Sequence, residues 1–213
     1  MSFTADDRHF FSPAANVARS HPGNEGSGPG LRLADLTALP RIGFKGREAP
    51  QWLEARGCRL PERPNRAVKR ADGALIAALS RDEHLVLSDA GRRSSLCDEL
   101  EKAWELDERR LCYPVPRRHS HAWFAVGGPR APQMLAKLCG VDLRPEHFDK
   151  GSVAQTSIAR LSGIIVRVGE DIEPAFYILA DSASAEFLWE AMVDAMREFG
   201  CSIVSSDVFA SRG

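Results

Sequence analysis

The chain has 213 residues with a formal net charge of −1, and 44% of the residues are hydrophobic and 27% charged. That balance is typical of a soluble globular protein with one or two domains. No run approaches the roughly 18 apolar residues that a membrane-spanning helix needs, and residues 1 to 30 lack the basic start and apolar stretch of a secretory signal, so we expect a cytoplasmic protein.

The N-terminal segment, residues 12 to 30, is rich in proline, glycine and serine and poor in large apolar side chains. Such a segment buries too little surface to offset the entropy lost on ordering. We therefore predict a flexible N-terminal arm over residues 1–30 and a folded body that begins near Leu31.

One phrase occurs twice: GREAPQWL at residues 46 to 53 returns as GPRAPQML at residues 128 to 135. The first copy follows the apolar stretch RIGF (41–44) and the second follows HAWFAV (121–126). Glycine permits a sharp turn and proline suits a first helical turn, so each copy predicts a strand, a tight turn and a helix. Whether the second helix begins at Pro129 or Pro132 stays open at this point.

The elements that follow each copy are also similar. In the first half, ALIAALS (74–80) and HLVLSD (84–89) predict a hairpin, followed by a helix from about Ser94 to Leu106. In the second half, residues 152–161, 163–168 and 175–181 predict three strands. Short closing strands are expected at Leu111 to Val115 and at Cys201 to Ser205.

The last predicted helix has the clearest amphipathic pattern and is stopped by Gly200. We interpret its apolar stripe as core, formed by Phe187, Leu188, Ala191, Met192, Ala195, Met196 and Phe199.

This order predicts an α+β fold of two tandem pseudo-symmetric halves, each an antiparallel sheet with helices on one face, as in ferredoxin-like units. The predicted boundaries are 31–116 for the first half, 117–205 for the second half and 206–213 for a C-terminal tail. An internal duplication explains why one phrase is written twice.

The five cysteines are odd in number, scattered, and never arranged as a CxxC pair, which favours buried free thiols over disulfides or a zinc knuckle. They are Cys58, Cys97, Cys112, Cys139 and Cys201.

Two stretches are rich in basic residues, from Arg56 to Arg70 and from Arg109 to Arg118. The sequence pI is about 6.6 and aromatic residues do not interleave with these charges, which disfavours nucleic-acid binding. We interpret the stretches as solvated faces or as charge matching against a partner protein. An RNA-binding protein remains an alternative that would require a steep salt dependence of affinity.

Several ordered motifs resemble one family, the gamma subunit of heterotetrameric sarcosine oxidase, over most of residues 36 to 200. They are LPRIGFKGREAPQWL, RPNRAV, DEHLVLSD, VGGPRAPQMLAKLCGVDLRPEHFDKGSVAQT and AEFLWEAMVDAMREFG. That family is in turn similar to the folate-binding fold of the glycine-cleavage T-protein, which agrees with tandem α+β halves.

The resemblance implies a structural role within a complex. Its alpha, beta and delta subunits would carry FAD, FMN, NAD, tetrahydrofolate and zinc, and this chain would carry no cofactor. The complex would oxidatively demethylate sarcosine to glycine, transfer the one-carbon unit to tetrahydrofolate and form hydrogen peroxide. The alternative is a free-standing folate-binding protein of one-carbon metabolism.

The residues themselves show no catalytic, cofactor-binding or metal-binding motif. GxGxxG, Walker A and GxSxG patterns are missing from the sequence. Ser152, in KGSVAQT, stands where related folate-dependent proteins carry the cysteine of a Lys-Gly-Cys motif, and a hydroxyl is a far weaker nucleophile than a thiol. We interpret Ser152 as a strand-start residue.

Two further sets of residues are candidates for a metal site and for a docking surface. His119 and His121 would share one face of a strand, but a zinc site needs a third ligand and Arg117 and Arg118 oppose a cation, so surface or interface imidazoles are favoured. Trp52, Trp104 and Trp123 are candidates for an apolar docking patch and equally for core positions.

Overall fold

The computed structural model describes residues 30–210. The predicted arm therefore lies outside the described residues, except for Gly30, and only residues 206–210 of the predicted tail are described. No helix in this part of the chain combines the length and apolar composition needed to cross a membrane.

The described chain begins with strand β1 (Leu31–Asp35) and then forms two similar series of elements. The first series is β2 (Arg41–Lys45), α1 (Ala49–Glu54), β3 (Arg66–Lys69), β4 (Leu75–Ala78), β5 (Glu83–Leu87), α2 (Leu96–Ala103) and β6 (Tyr113–Pro116). The second is β7 (His121–Gly127), α3 (Ala131–Leu135), β8 (Val153–Ile158), β9 (Leu161–Arg167), β10 (Ala175–Asp181), α4 (Ala185–Met196) and β11 (Cys201–Ile203). Each series is therefore strand, helix, three strands, helix, strand.

The two sheets repeat one strand order. The first is β3-β4-β5-β2-β6 and the second is β8-β9-β10-β7-β1-β11. Element for element these orders are the same, except that β1 is inserted between β7 and β11. The predicted α+β fold of two pseudo-symmetric halves is confirmed, although the sequence pattern did not locate β1 or β3.

Strand β1 makes the second sheet mixed. It pairs antiparallel with β7 and parallel with β11. Although β1 precedes the first half in sequence, it completes the sheet of the second half. The domain boundaries 31–116 and 117–205 stay a prediction, but the strand pairing does not follow them at this point.

The repeated phrase has one conformation in both copies. Gly46 and Gly128 have φ values of 130° and 132°, and their carbonyls accept hydrogen bonds from the N–H groups of Ala49 and Ala131 at 2.9 and 3.0 Å. Each helix begins at the alanine, and the following proline lies in the first turn, where no intrahelical acceptor is needed. The second helix therefore begins at Ala131.

The body has four layers, helices–sheet–sheet–helices, because both faces of each sheet are apolar. Along β7, Trp123 and Ala125 pack between the sheets, whereas Phe124 and Val126 pack under α4. A third cluster joins the five-stranded sheet to α1 and α2. Helices thus cover only the outer face of each sheet, as predicted.

The buried stripe on α4 differs from the predicted one in part. Phe187 is 53% exposed and Ala191 and Phe199 are half-buried, whereas Ala185 and Trp189 are buried. The buried positions 185, 188, 189, 192, 195 and 196 still follow helical spacing, and Gly200, at φ 71°, ends the helical segment.

The two sheets also meet edge to edge at a seam between β3 and the start of β8. The N–H of Ala67 donates to the carbonyl of Gly151 at 2.7 Å, and the N–H of Val153 donates to the carbonyl of Asn65 at 3.0 Å. Equivalent edge strands of the two halves therefore protect each other, which removes two exposed sheet edges.

A buried arginine ties the first half to the linker between the halves. Arg41, on β2, is 3% exposed, and burial lowers its pKa to about 10, so it remains a cation at neutral pH. Its guanidinium donates to five backbone carbonyls, those of Thr37, Leu39, Arg117, Arg118 and His121.

We expect Arg41→Met to destabilise the fold by about 3 to 5 kcal/mol, because it removes a buried cation whose donors satisfy several carbonyls at once. Urea unfolding measures the change. Arg81→Met, in the exposed β4–β5 turn, is the control and should change stability by less than about 0.5 kcal/mol. Equal stability of the two variants would contradict the assignment.

Gly46→Ala should cost about 2 to 4 kcal/mol, because φ there is 130° and the added Cβ would lie 2.2 Å from the carbonyl oxygen of Leu111. Gly140→Ala has nothing within 4 Å of its new Cβ and serves as the matched control. Thermal unfolding of both variants compares them, and a Gly46 variant as stable as the Gly140 variant would show that the turn is not constrained.

Candidate functional site

The tryptophans singled out from the sequence lie mainly in the interior. Trp123 is fully buried between the sheets and Trp52 is 4% exposed. Trp104 is half-buried and its indole N–H donates to the carbonyl of Cys112 at 3.0 Å. The docking interpretation is therefore wrong for Trp52 and Trp123, which are core residues.

His119 and His121 do not share the face of a strand. Strand β7 begins at His121, so His119 lies in the preceding turn, where it is exposed. Among residues 30–210, no group of three or more His, Cys, Asp or Glu side chains is arranged to hold a metal ion.

Both ring nitrogens of His121 have partners. Nε2 lies 3.0 Å from Nη1 of Arg117, and Nδ1 lies 2.9 Å from Oγ of Ser120. Since a guanidinium only donates, Nε2 must accept, and the network assigns the neutral tautomer with its proton on Nδ1. Burial, together with Arg117 and Arg41, lowers the pKa of His121 to about 4.

Ser152 lies in the seam between the halves and has a structural hydrogen-bond network. Its hydroxyl donates to Oδ1 of Asp149 at 2.6 Å and accepts from Nη1 of Arg66 at 2.8 Å. Arg66 also donates to Asp149, and this contact lowers the pKa of Asp149 to about 2. The hydroxyl therefore fastens β3 to the start of β8, in line with its interpretation as a strand-start residue.

The cysteines are free thiols, as predicted, and four of the five are buried. Burial raises the pKa of Cys97 to about 12 and also raises the pKa of Cys58, Cys112 and Cys201. Thiols with raised pKa values are protonated at neutral pH and are weak nucleophiles.

Several charged side chains line a cavity of about 550 Å³, which we call the basic cavity. Segments from both halves line it, including the end of β3, the β9–β10 hairpin and the turn at 208–210. Its charged lining residues are five cations and two acids, a formal excess of three positive charges: Arg32, Lys69, Arg70, Arg93 and Lys150, with Glu170 and Glu173.

Carboxylates neutralise four of these five cations. Each ion pair joins a lining cation to an acid on or beside the cavity: Lys150 to Glu170, Arg32 to Glu173, Arg70 to Asp72 at 3.3 Å and Arg93 to Asp89 at 2.9 Å.

Lys69 differs from the other four cations. Within residues 30–210 its ammonium group has no hydrogen bond or ion pair. Partial burial lowers its pKa, and Lys150 and Arg93 act in the same direction, whereas the carboxylates of Asp89 and Glu170 oppose this shift. An anion that entered the cavity would therefore find one cation that makes no direct ion pair among residues 30–210.

The wall of the basic cavity is apolar on one side. Tyr177 is 5% exposed and its ring meets that of Trp123 edge to face at a centroid distance of 5.1 Å. Burial raises the pKa of Tyr177, so it contributes a neutral surface. Phe209 lies beside it and packs on the inter-sheet cluster.

The sequence did not indicate this cavity as a site. Lys69 and Arg70 were part of a basic stretch, interpreted as a solvated face or as charge matching against a partner. Arg32 and Lys150 join them only because β1 crosses to the second sheet and the seam brings residue 150 beside β3. The sequence feature that could have indicated the cavity was the basic stretch from Arg56 to Arg70, which precedes β4.

Comparison with known proteins gives the class to which this duplicated α+β body corresponds. Residues 65–211, more than half of the chain, match the family described as the GCVT N-terminal domain, and the chain belongs to that family.

Within that class, gamma subunits resemble the chain over nearly its whole length. It is 27% identical over 204 residues to the sarcosine oxidase subunit gamma of Corynebacterium sp. (strain P-1), covering 91% of this chain and 93% of that protein. It is 31% identical over 134 residues to an aminomethyltransferase of Streptomyces avermitilis, but covers only 34% of that protein and 59% of this chain. The resemblance drawn from the sequence motifs is confirmed.

Solved structures show the same fold. The heterotetrameric sarcosine oxidase from Corynebacterium sp. U-96 in complex with pyrrole 2-carboxylate contains a chain that matches with a TM-score of 0.74 at 23% identity, over 92% of this chain and 98% of that one. The glycine cleavage system aminomethyltransferase T from Bartonella henselae matches with a TM-score of 0.65 at 16% identity, over 92% of this chain and 60% of that one.

The lowered pKa of His121 predicts how stability depends on pH. The unfolded chain binds a proton near pH 6.5 and the folded chain only near pH 4, so the free energy of unfolding should fall as the pH is lowered through that window. His121→Gln should flatten this slope. Urea unfolding between pH 4 and 7 tests it, and unfolding at pH 8, where the ring is neutral, is the control for the substitution itself. An unchanged slope would contradict the assigned tautomer and burial.

Proposed function

We propose that this protein is a non-catalytic structural subunit of a sarcosine-oxidase-type flavoenzyme complex. The proposal is carried by the extent of one alignment. The match to the gamma subunit of Corynebacterium sp. (strain P-1) covers 91% of this chain and 93% of that protein. The match to an aminomethyltransferase uses about a third of that larger protein. The whole chain, and not one module of it, thus corresponds to a gamma subunit.

The side chains that could act as nucleophiles or bases support a structural role. Ser152 is held by Asp149 and Arg66, and both nitrogens of His121 are engaged. The buried thiol of Cys97 has a pKa of about 12. A catalytic serine would need an effective general base and an exposed position, whereas Ser152 is buried and its neighbour Asp149, with a pKa of about 2, is a weak base.

The proposal assigns the chemistry to other chains. Alpha, beta and delta subunits would carry FAD, FMN, NAD, tetrahydrofolate and zinc. The assembled complex would convert sarcosine to glycine, pass the one-carbon unit to tetrahydrofolate and form hydrogen peroxide. Free buried thiols agree with a reducing compartment, and we place the complex in the cytoplasm.

A free-standing folate-binding protein is the second candidate, and membership of the GCVT N-terminal domain family favours it. The two functions differ in a direct way. The folate-binding protein would bind tetrahydrofolate alone, whereas the structural subunit would bind partner chains and no folate.

We expect the chain, co-expressed with the neighbouring reading frames that encode the large flavoprotein subunits, to co-purify as a yellow complex of fixed stoichiometry. Size-exclusion chromatography with absorbance at 280 and 450 nm measures this, because bound flavin absorbs at the longer wavelength.

The isolated chain, titrated with tetrahydrofolate in a calorimeter, should show no binding at micromolar concentrations. Micromolar folate binding by the isolated chain would favour the second candidate. Recovery of complete and active large subunits without this chain would reject the structural role.

A further inference from the structure

The basic cavity has an excess of positive charge, although the whole chain is slightly negative. The whole protein has a net charge of −1, whereas five cations and two acids line the cavity, and one positive charge remains in excess when the ion-pair partners Asp72 and Asp89 are also counted. We propose that the basic cavity is a docking site for an acidic segment of a partner subunit, with Lys69 as its central contact. This inference rests on the proposed function.

Lys69 carries the main argument. Its ammonium group has no partner among residues 30–210, while Lys150, Arg32, Arg70 and Arg93 each have a carboxylate. The Lys69 side chain is exposed, so water solvates its charge in the isolated chain, and a carboxylate that docked here would give it the ion pair that the other four cations already have. A carboxylate supplied by another chain would complete the pairing.

The ion pairs around Lys69 leave room for additional carboxylates. In the pairs Lys150–Glu170 and Arg32–Glu173, the acidic side chains are 74% and 56% exposed. Exposed pairs of this kind contribute little to stability, so their cations can share an incoming carboxylate at small cost. The cavity therefore fits a segment with several acidic residues better than a single small anion.

The rim of the cavity favours a protein partner. Val208, which lines the cavity, is 47% exposed, and Ile172, which lies in the β9–β10 loop between two lining residues, is 90% exposed. A metabolite site normally buries its apolar groups, whereas exposed apolar residues next to charged ones are typical of protein interfaces. Val208 and Ile172 would be covered as the acidic segment docks.

The test compares Lys69→Glu with Lys102→Glu in the full complex. Lys102 is an exposed lysine on α2, in the outer helical layer of the five-stranded sheet, and it gives the same change of charge away from the cavity. Binding of each purified chain to the remaining subunits is measured by biolayer interferometry at 50 and 300 mM NaCl.

Lys69→Glu should raise the Kd at least tenfold at 50 mM NaCl, and Lys69→Gln should raise it by a smaller factor. Lys102→Glu should stay within twofold of wild type. The difference between wild type and Lys69→Glu should shrink at 300 mM NaCl, because salt screens the pairing. Wild-type affinity for Lys69→Glu, with unfolding curves that show all variants folded, would overturn the proposal.

A photo-crosslinking amino acid at position 69 identifies the occupant. In the assembled complex, mass spectrometry should find it joined to a partner peptide rich in Asp and Glu. Cross-links to residues 1–29 or 211–213 of the same chain, or to a partner peptide without acidic residues, would overturn the proposal. If wild-type chain fails to bind the other subunits at all, the proposed function itself fails, which is a distinct result.

Discussion

The hydrogen bonds of one buried guanidinium set how the two halves are joined. Arg41 is the first residue of β2, and its guanidinium donates to carbonyls of the segment that joins β6 to β7. These are the carbonyls of Arg117, Arg118 and His121. A buried guanidinium needs several hydrogen-bond acceptors, so the position of Arg41 and the path of the linker constrain each other. Strand β7 starts at the end of this linker, which places the second sheet against the first.

The duplicated fold has one asymmetric feature with consequences for function. Strand β1 enters the second sheet between β7 and β11, whereas β2 and β6 of the first sheet pair directly. This insertion brings Arg32 to the wall of the basic cavity, opposite the end of β3. A strictly symmetric body would lack that residue and the ion pair it makes with Glu173.

Most reactive side chains of this protein are engaged in holding the fold. Ser152 fastens the seam, His121 is locked between Arg117 and Ser120, and the buried thiols pack in the apolar clusters. Among the cations that line the basic cavity, Lys69 makes no ion pair within residues 30–210. This distribution agrees with a protein that acts by holding other chains in place.

The amino-acid sequence by itself determined the duplication, the α+β class and most elements, because glycine turns, alternating strands and helical stripes are local properties. The phrase at residues 46–53 predicted the turn and the helix correctly in both copies. Only the tertiary structure decided that β1 crosses to the second sheet, that Trp52 and Trp123 are core, and that Lys69 faces a cavity. Strand exchange, burial and charge clustering depend on residues far apart in the chain, and no local pattern encodes which distant segments meet.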